Sequence, residues 1–190
     1  MLACIPTFVI ERARLYAERK HGITRRRGGL AIDHVRKVVE ILLEMGVQDQ
    51  HVICAAWLHD TIEDTDAKYD GICLEFGKDV ADMVSSLSKD NRLPRDMRTV
   101  EYVERLGRAA PGAKTVKLAD ILANLESMTG SGADAAKACR KAAQLRRYLL
   151  AVSSGISPNL PELAGVQARL DALLGIHGLE PVDLDTGWPS

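Results

Sequence analysis

The most constraining stretch of the chain is Val52-Ile53-Cys54-Ala55-Ala56-Trp57-Leu58-His59-Asp60. It is apolar almost all round at helical spacing, a pattern that demands central burial. The run ends abruptly in an imidazole and a carboxylate, and Glu63 and Asp64 follow within one helical turn. A buried helix that finishes by aiming a histidine and an aspartate at one place can begin a metal site. An adjacent Glu-Asp pair adds candidate general acid/base groups. The same residues also fit a core helix with a solvated acidic end, so partners from elsewhere in the chain must decide.

With 190 residues the chain is long enough for one domain with a sizeable core. Aromatics make up only 4% and Ala and Leu are abundant, which favours helices packed through aliphatic side chains over a β-sandwich. A net charge of -1 gives no global field for nucleic acid or a membrane surface, so anion binding has to be local. Cys4, Cys54, Cys73 and Cys139 form no CxxC pair and have no zinc-finger spacing, which reads as reduced, mostly buried thiols in a cytoplasmic protein. Met1 to Ile10 lacks a basic n-region and does not read as a signal peptide. No apolar run reaches the ~18 residues of a membrane span.

Pro6 to Lys20 reads as a first helix closed by His21-Gly22. Arg25-Arg26-Arg27-Gly28-Gly29 is a basic loop that can cradle a phosphate, or simply be solvated. Asp33 is expected to cap a helix from His34 to Met45, and Asp49 to begin the one that ends at His59-Asp60. A short connection makes these two antiparallel neighbours, which puts His34 beside His59 and Asp60. Further helical pieces are expected up to Phe76, from Val80 to Leu87 and from Arg95 to Arg108. Pro111-Gly112 then opens a helix that carries Asp120 among Val116, Leu118, Ala119 and Leu122. A buried aspartate is costly unless paired, hydrogen-bonded or bound to metal. Asn124 lies one turn further on the same face. A long helix over Ala133 to Val152 and a last one within Pro158 to Leu174 precede an acidic end without periodicity.

The order His34, His59-Asp60, Glu63-Asp64, Asp120 resembles the HD superfamily of metal-dependent phosphohydrolases. Within it the chain looks like the hydrolase domain of RelA/SpoT proteins, particularly the small stand-alone metazoan SpoT homologue type. The carrying residues are Trp57-Leu58-His59-Asp60-Thr61-Ile62-Glu63-Asp64-Thr65, Phe76-Gly77, and Pro111-Gly112-Ala113-Lys114-Thr115-Val116-Lys117-Leu118-Ala119-Asp120 with Asn124-Leu125, within residues 8 to 150. The resemblance implies a compact all-α HD bundle of about eight helices, with the domain taken over residues 1–175; the acidic tail over 176–190, lacking periodicity, reads as poorly ordered or draped on the surface. His34, His59, Asp60 and Asp120 would bind one divalent ion, typically Mn²⁺, with Zn²⁺ or Fe²⁺ compatible with the same donors. Such an ion can lower the pKa of water and offset charge on a phosphoryl oxygen. Glu63 and Asp64 would activate or position the attacking water. Arg25 and Asn124 would meet the nucleotide.

The implied reaction is removal of pyrophosphate from the 3′ position of (p)ppGpp, and the implied partner is a small nucleotide, with no nucleic acid or membrane. Residues 61 to 119 contain no histidine, which implies a single catalytic ion, since HD enzymes with two metals generally add histidines there. The family's PYxxHP segment reads Leu30-Ala31-Ile32-Asp33-His34-Val35, and Ile121 and Ala123 stand where a basic residue and a His or Tyr are usual. These changes touch the nucleotide pocket and leave the metal set whole. The alternative expectation is therefore another HD nucleotide phosphohydrolase, a nucleoside 5′-monophosphatase or a dNTP hydrolase. Arg95, Arg98 and Tyr148 are candidate substitute contacts.

Overall fold

The computed structural model describes residues 5–26, 29–128, 135–156 and 160–184. The architecture is an all-α bundle. In chain order it runs α1 (Ile5–His21), a two-residue hairpin of β1 (Arg25–Arg26) and β2 (Gly29–Leu30), α2 (Ala31–Glu44), α3 (Gln50–Leu58), α4 (Thr61–Asp64), α5 (Tyr69–Phe76), α6 (Lys78–Leu87), α7 (Arg95–Arg108), α8 (Pro111–Met128), α9 (Ala135–Val152) and α10 (Leu163–Ile176). The described helices outnumber the expected eight partly because short pieces such as the four-residue α4 stand alone.

Two helices form the centre. Every residue of α3 from Val52 to Leu58 is buried, and α3 packs against α1, α2, α6 and α8. The other is α8, buried from Ala113 to Ala123, which meets α2, α3, α6, α9 and α10. The close approach depends on Gly112. A Cβ there would lie 2.8 Å from Val52 Cγ2 and 2.9 Å from Met83 Sδ, so a side chain would push α8 off α3 and α6. Gly77, at φ +88°, is the single-residue joint between α5 and α6, a conformation that favours glycine.

The second helix begins three residues before the expected start. Asp33 is not its cap but lies in its first turn, where Oδ2 accepts the Leu30 backbone N–H at 3.1 Å. The reason is the hairpin, which hands the chain directly into the helix: Ala31 N–H donates to the Thr24 carbonyl at 2.8 Å. His34 therefore sits at the end of the first turn of α2. Asp49 does cap α3, accepting the His51 N–H at 2.8 Å.

Of the cysteines, Cys54 is buried, Cys73 half-buried and Cys139 exposed, and all three are free thiols; Cys4 lies outside the described residues. The sequence predicts mostly buried thiols, whereas among the three described only Cys54 is buried, and Cys139 falls on the outer face of α9. Past α10 the chain lies against α9 and α10. Arg146 Nε donates to the Glu180 carbonyl at 2.7 Å, Gln167 Nε2 to the Val182 carbonyl at 3.0 Å, and the Leu184 N–H to Gln167 Oε1 at 2.9 Å. Val182 is buried. Residues 185–190, the end of the expected tail, lie outside the described residues.

Candidate metal centre and its carboxylate arm

The helix α3 stops where its chemistry begins. After Leu58 the chain turns at His59-Asp60 and restarts as the single turn α4. Thr61 explains the break: its buried hydroxyl donates to the Leu58 carbonyl at 2.6 Å, satisfying a group the helix end leaves open. Thr65 repeats the device, with its hydroxyl donating to the Thr61 carbonyl at 2.6 Å and accepting the Ala67 N–H at 3.1 Å. The two threonines of the His-Asp-Thr-Ile-Glu-Asp-Thr run thus fix the turn that presents the functional side chains.

His59 is 3% exposed. Its Nδ1 lies 2.7 Å from the Ala56 carbonyl oxygen, an arrangement that takes the ring proton on Nδ1 and leaves the Nε2 lone pair for a metal. Nε2 makes no hydrogen bond, although Asp60 Oδ1 is 3.2 Å away and Asp120 Oδ1 3.9 Å away. From α2, His34 brings its Nε2 to 2.9 Å from Asp120 Oδ1 and 4.0 Å from Asp60 Oδ2. The two imidazoles meet edge to face with centroids 5.6 Å apart. Ligand atoms of His34, His59 and Asp120 all lie within 4.8 Å of one another, so three segments bring one His/His/Asp triad together, with His59 and Asp120 buried and His34 half-buried. Mixed nitrogen and oxygen donors of this kind, one of them a buried ring nitrogen without a hydrogen bond, fit a divalent ion.

Without a metal, electrostatics favour the charged forms of His59 and Asp120. Burial opposes a proton on His59, but the Asp60 and Asp120 carboxylates outweigh it and push the imidazole up to about 9. Burial likewise opposes the Asp120 charge, and Lys117, followed by His34 and His59, overrides it, holding the carboxyl well below the usual range. Lys117 sits one turn before Asp120 on α8 and donates to its Oδ2 at 2.6 Å. The Asp120 carboxylate in turn keeps the buried Lys117 ammonium protonated against its desolvation. Asn124 Nδ2 completes the set, donating to Asp120 Oδ1 at 2.6 Å and to its carbonyl at 2.9 Å. The expected nucleotide contact at Asn124 therefore has its amide engaged in orienting a metal-reaching carboxylate.

Beside the triad lies a second carboxylate with its own lysine. Glu63, half-buried on α4, accepts from Lys89 Nζ at 3.1 and 3.4 Å and from the Lys89 N–H at 3.1 Å. Asp64 is exposed on the same turn. Both ammonium groups rest on the same aromatic pair. Lys89 Nζ is 5.0 Å from the Tyr102 centroid and 6.0 Å from that of Tyr148, while Lys117 Nζ is 5.3 and 5.2 Å away. The rings pack edge to face at 5.1 Å. Tyr102 donates its hydroxyl to the Leu87 carbonyl at 2.8 Å, whereas the buried Tyr148 hydroxyl makes no hydrogen bond.

Other sequence candidates lie differently. Arg25 falls in β1, but its side chain is outside those described, as are Arg27 and Gly28 and the side chain of Arg95 in α7. Arg98 is committed to structure: its Nη2 donates to the Leu93 carbonyl at 3.0 Å and the Asn91 carbonyl at 3.2 Å. Sequence reasoning missed Lys117, Lys89 and Tyr102. Lys117 was findable, as a cation inside an apolar helix three residues from a buried aspartate. Lys89 was not, because nothing local ties it to Glu63 across 26 residues.

The fold and the triad together define a class. The chain belongs to the HD-domain family, whose model matches residues 13–151. It is 43% identical over 117 residues to human guanosine-3′,5′-bis(diphosphate) 3′-pyrophosphohydrolase MESH1, a match that covers 60% of this chain and 65% of that protein. The Xenopus tropicalis protein of the same name is 39% identical over 124 residues, 63% of this chain and 69% of its own length. Among solved structures, one described as a metazoan orthologue of SpoT that hydrolyses ppGpp superposes with a TM-score of 0.80. It is 27% identical and covers 93% of this chain and 99% of its own. The aligned stretch thus spans just under two thirds of the human relative's length.

Proposed function

We propose that the chain is a metal-dependent (p)ppGpp 3′-pyrophosphohydrolase, cleaving pyrophosphate from the 3′ position to leave GDP or GTP. The observation that carries this reading is the His34/His59/Asp120 triad, in which the bond at Nδ1 orients the buried His59 ring and its Nε2, without a hydrogen bond of its own, faces the carboxylates. Similarity to the MESH1 proteins supports the choice of substrate. His34, His59, Asp60 and Asp120 would hold one Mn²⁺, with Asp60 joining the triad as a fourth donor from the 3.2–4.0 Å at which it approaches both imidazoles. The ion supplies Lewis acidity toward a phosphoryl oxygen and lowers the pKa of water. Glu63 takes the proton of the attacking water, and Asp64 orients it from the same turn. Asn124 and Lys117 keep Asp120 ionised and in place. Arg25 offers a cation to the phosphates, and the Tyr148 hydroxyl is a buried group with bonding capacity to spare.

The unit is one HD domain through residue 175 with an acidic segment over 176–190. Its partner is a small nucleotide rather than nucleic acid or membrane, and its compartment the cytoplasm. Among the described residues no helix is long and apolar enough to cross a membrane.

A second reading, another HD nucleotide phosphohydrolase acting on nucleoside 5′-monophosphates or dNTPs, is favoured by Ile121 and Ala123. Both are buried in the core, so neither offers the polar contact the family usually places there. The experiment is pyrophosphate release from ppGpp with Mn²⁺, run beside deoxynucleoside monophosphates, dNTPs and NADPH. Pyrophosphate from ppGpp is expected. Orthophosphate from a monophosphate with ppGpp untouched would promote the second reading, and no turnover of any would sink both.

A further inference from the structure

Glu63 is held from one direction by one residue. Every hydrogen bond described for its carboxylate comes from Lys89, two from the ammonium and one from the backbone amide. Lys89 is itself mounted on a stiff turn between α6 and α7. On one side the buried Ser88 hydroxyl donates to the Val84 carbonyl at 2.8 Å, and on the other Arg98 Nη2 closes onto the Leu93 and Asn91 carbonyls. Asp90 adds an inner bond by accepting the Arg92 N–H at 2.9 Å. The Lys89 ammonium also lies 5.0 Å from the Tyr102 ring centroid and 6.0 Å from that of Tyr148, a cation–π placement that favours this position. An ordinary surface ion pair has none of these constraints and contributes little.

We propose that Lys89 is a positioning residue for the reaction: its ammonium and amide clamp the Glu63 carboxylate so that it faces the attacking water with one fixed orientation. The inference rests on the function proposed above, in which Glu63 handles that proton. General-base catalysis depends on the base being held within hydrogen-bond reach, and small displacements are costly. Lys89 supplies that fixity from a segment remote in sequence, while leaving the metal triad untouched.

The test is steady-state ppGpp hydrolysis with Mn²⁺ by wild type, Lys89→Met, Lys89→Arg, Glu63→Gln and the Glu63→Gln/Lys89→Met double variant. Lys89→Met is expected to lower kcat about 10–100-fold, with KM within about threefold and Mn²⁺ affinity unchanged, because it removes orientation and not binding. Lys89→Arg should recover most of the rate. In the double variant the second change should add nothing, since without a carboxylate base there is nothing left to orient. Should Lys89→Met fail to fold, Lys89→Gln keeps the long polar stem without the charge and carries the same expectations. A raised KM at unchanged kcat would make Lys89 a substrate contact and overturn the clamp, as would multiplicative losses in the double variant. Wild-type hydrolysis with an unimpaired Lys89→Met would sink the clamp alone. No hydrolysis by the wild type would sink the function and the clamp's purpose together.

Discussion

Two lysine–carboxylate pairs share one wall of tyrosines, and they differ in depth. Lys117 and Asp120 lie along a single helix with side chains 9% and 8% exposed. Lys89 and Glu63 come from separate segments and are 27% and 23% exposed. The deep pair cannot reorganise without leaving a charge in the core, so Asp120 is a permanent anion aimed at two imidazoles. The shallow pair is reachable by solvent. The difference in depth accords with the two roles proposed above, Asp120 as a metal ligand and Glu63 as the group that meets the attacking water.

That division can be broken by experiment. Asp120→Ala should abolish Mn²⁺ binding and lower ppGpp hydrolysis by at least about 10³-fold, near what loss of a catalytic group costs in other enzymes, and Asp60→Ala should act alike. Metal titration by calorimetry alongside the rate assay checks both; tight Mn²⁺ binding by Asp120→Ala would erase the distinction between the pairs. Glu63→Gln should instead keep its metal and lose about 10²–10³-fold in kcat. Full activity in that variant would remove Glu63 from the chemistry.

The deep pair also predicts a stability effect that the shallow one lacks. Lys117→Met leaves Asp120 buried beside a neutral side chain and should cost about 3–5 kcal/mol in the metal-free chain, read by denaturant unfolding. Added Mn²⁺ should recover part of it. Lys89→Met, at a partly exposed pair, should change stability by no more than about 1 kcal/mol.

The deep site also predicts a pH dependence. His59 is pushed up to about 9 from an ordinary 6.5 by Asp60 and Asp120, against burial. A raised histidine contributes stability that is fully present below pH 6.5 and lost as pH rises through about 9. The Tm of chelator-treated protein should therefore fall across that window. Mn²⁺ affinity should rise over the same window, because the ion must displace the His59 proton. Parallel rather than opposite trends would mean that proton and metal do not compete at His59.

Much of this was legible in the sequence because the signals are local. An all-round apolar run foretold the burial of α3, and an aspartate inside an apolar helix foretold Asp120. Antiparallel neighbours joined by a short turn brought His34 to His59, as the spacing implied. The start of α2 was misplaced by three residues because a two-residue hairpin, too short to register as strands, feeds the helix. The tyrosine wall was hidden because Tyr102 and Tyr148 lie on different helices and meet only in the folded chain. Nor could spacing foretell that the amide of Asn124 would be spent on Asp120.

The central claim is that the buried triad is a metal centre driving nucleotide hydrolysis. It is tested most directly by stripping the chain with a chelator and titrating Mn²⁺ back while following pyrophosphate release from ppGpp. The account predicts no turnover in the stripped chain and recovery that saturates at one ion per chain. Turnover that survives stripping, or a fully loaded chain that releases no pyrophosphate, would contradict it.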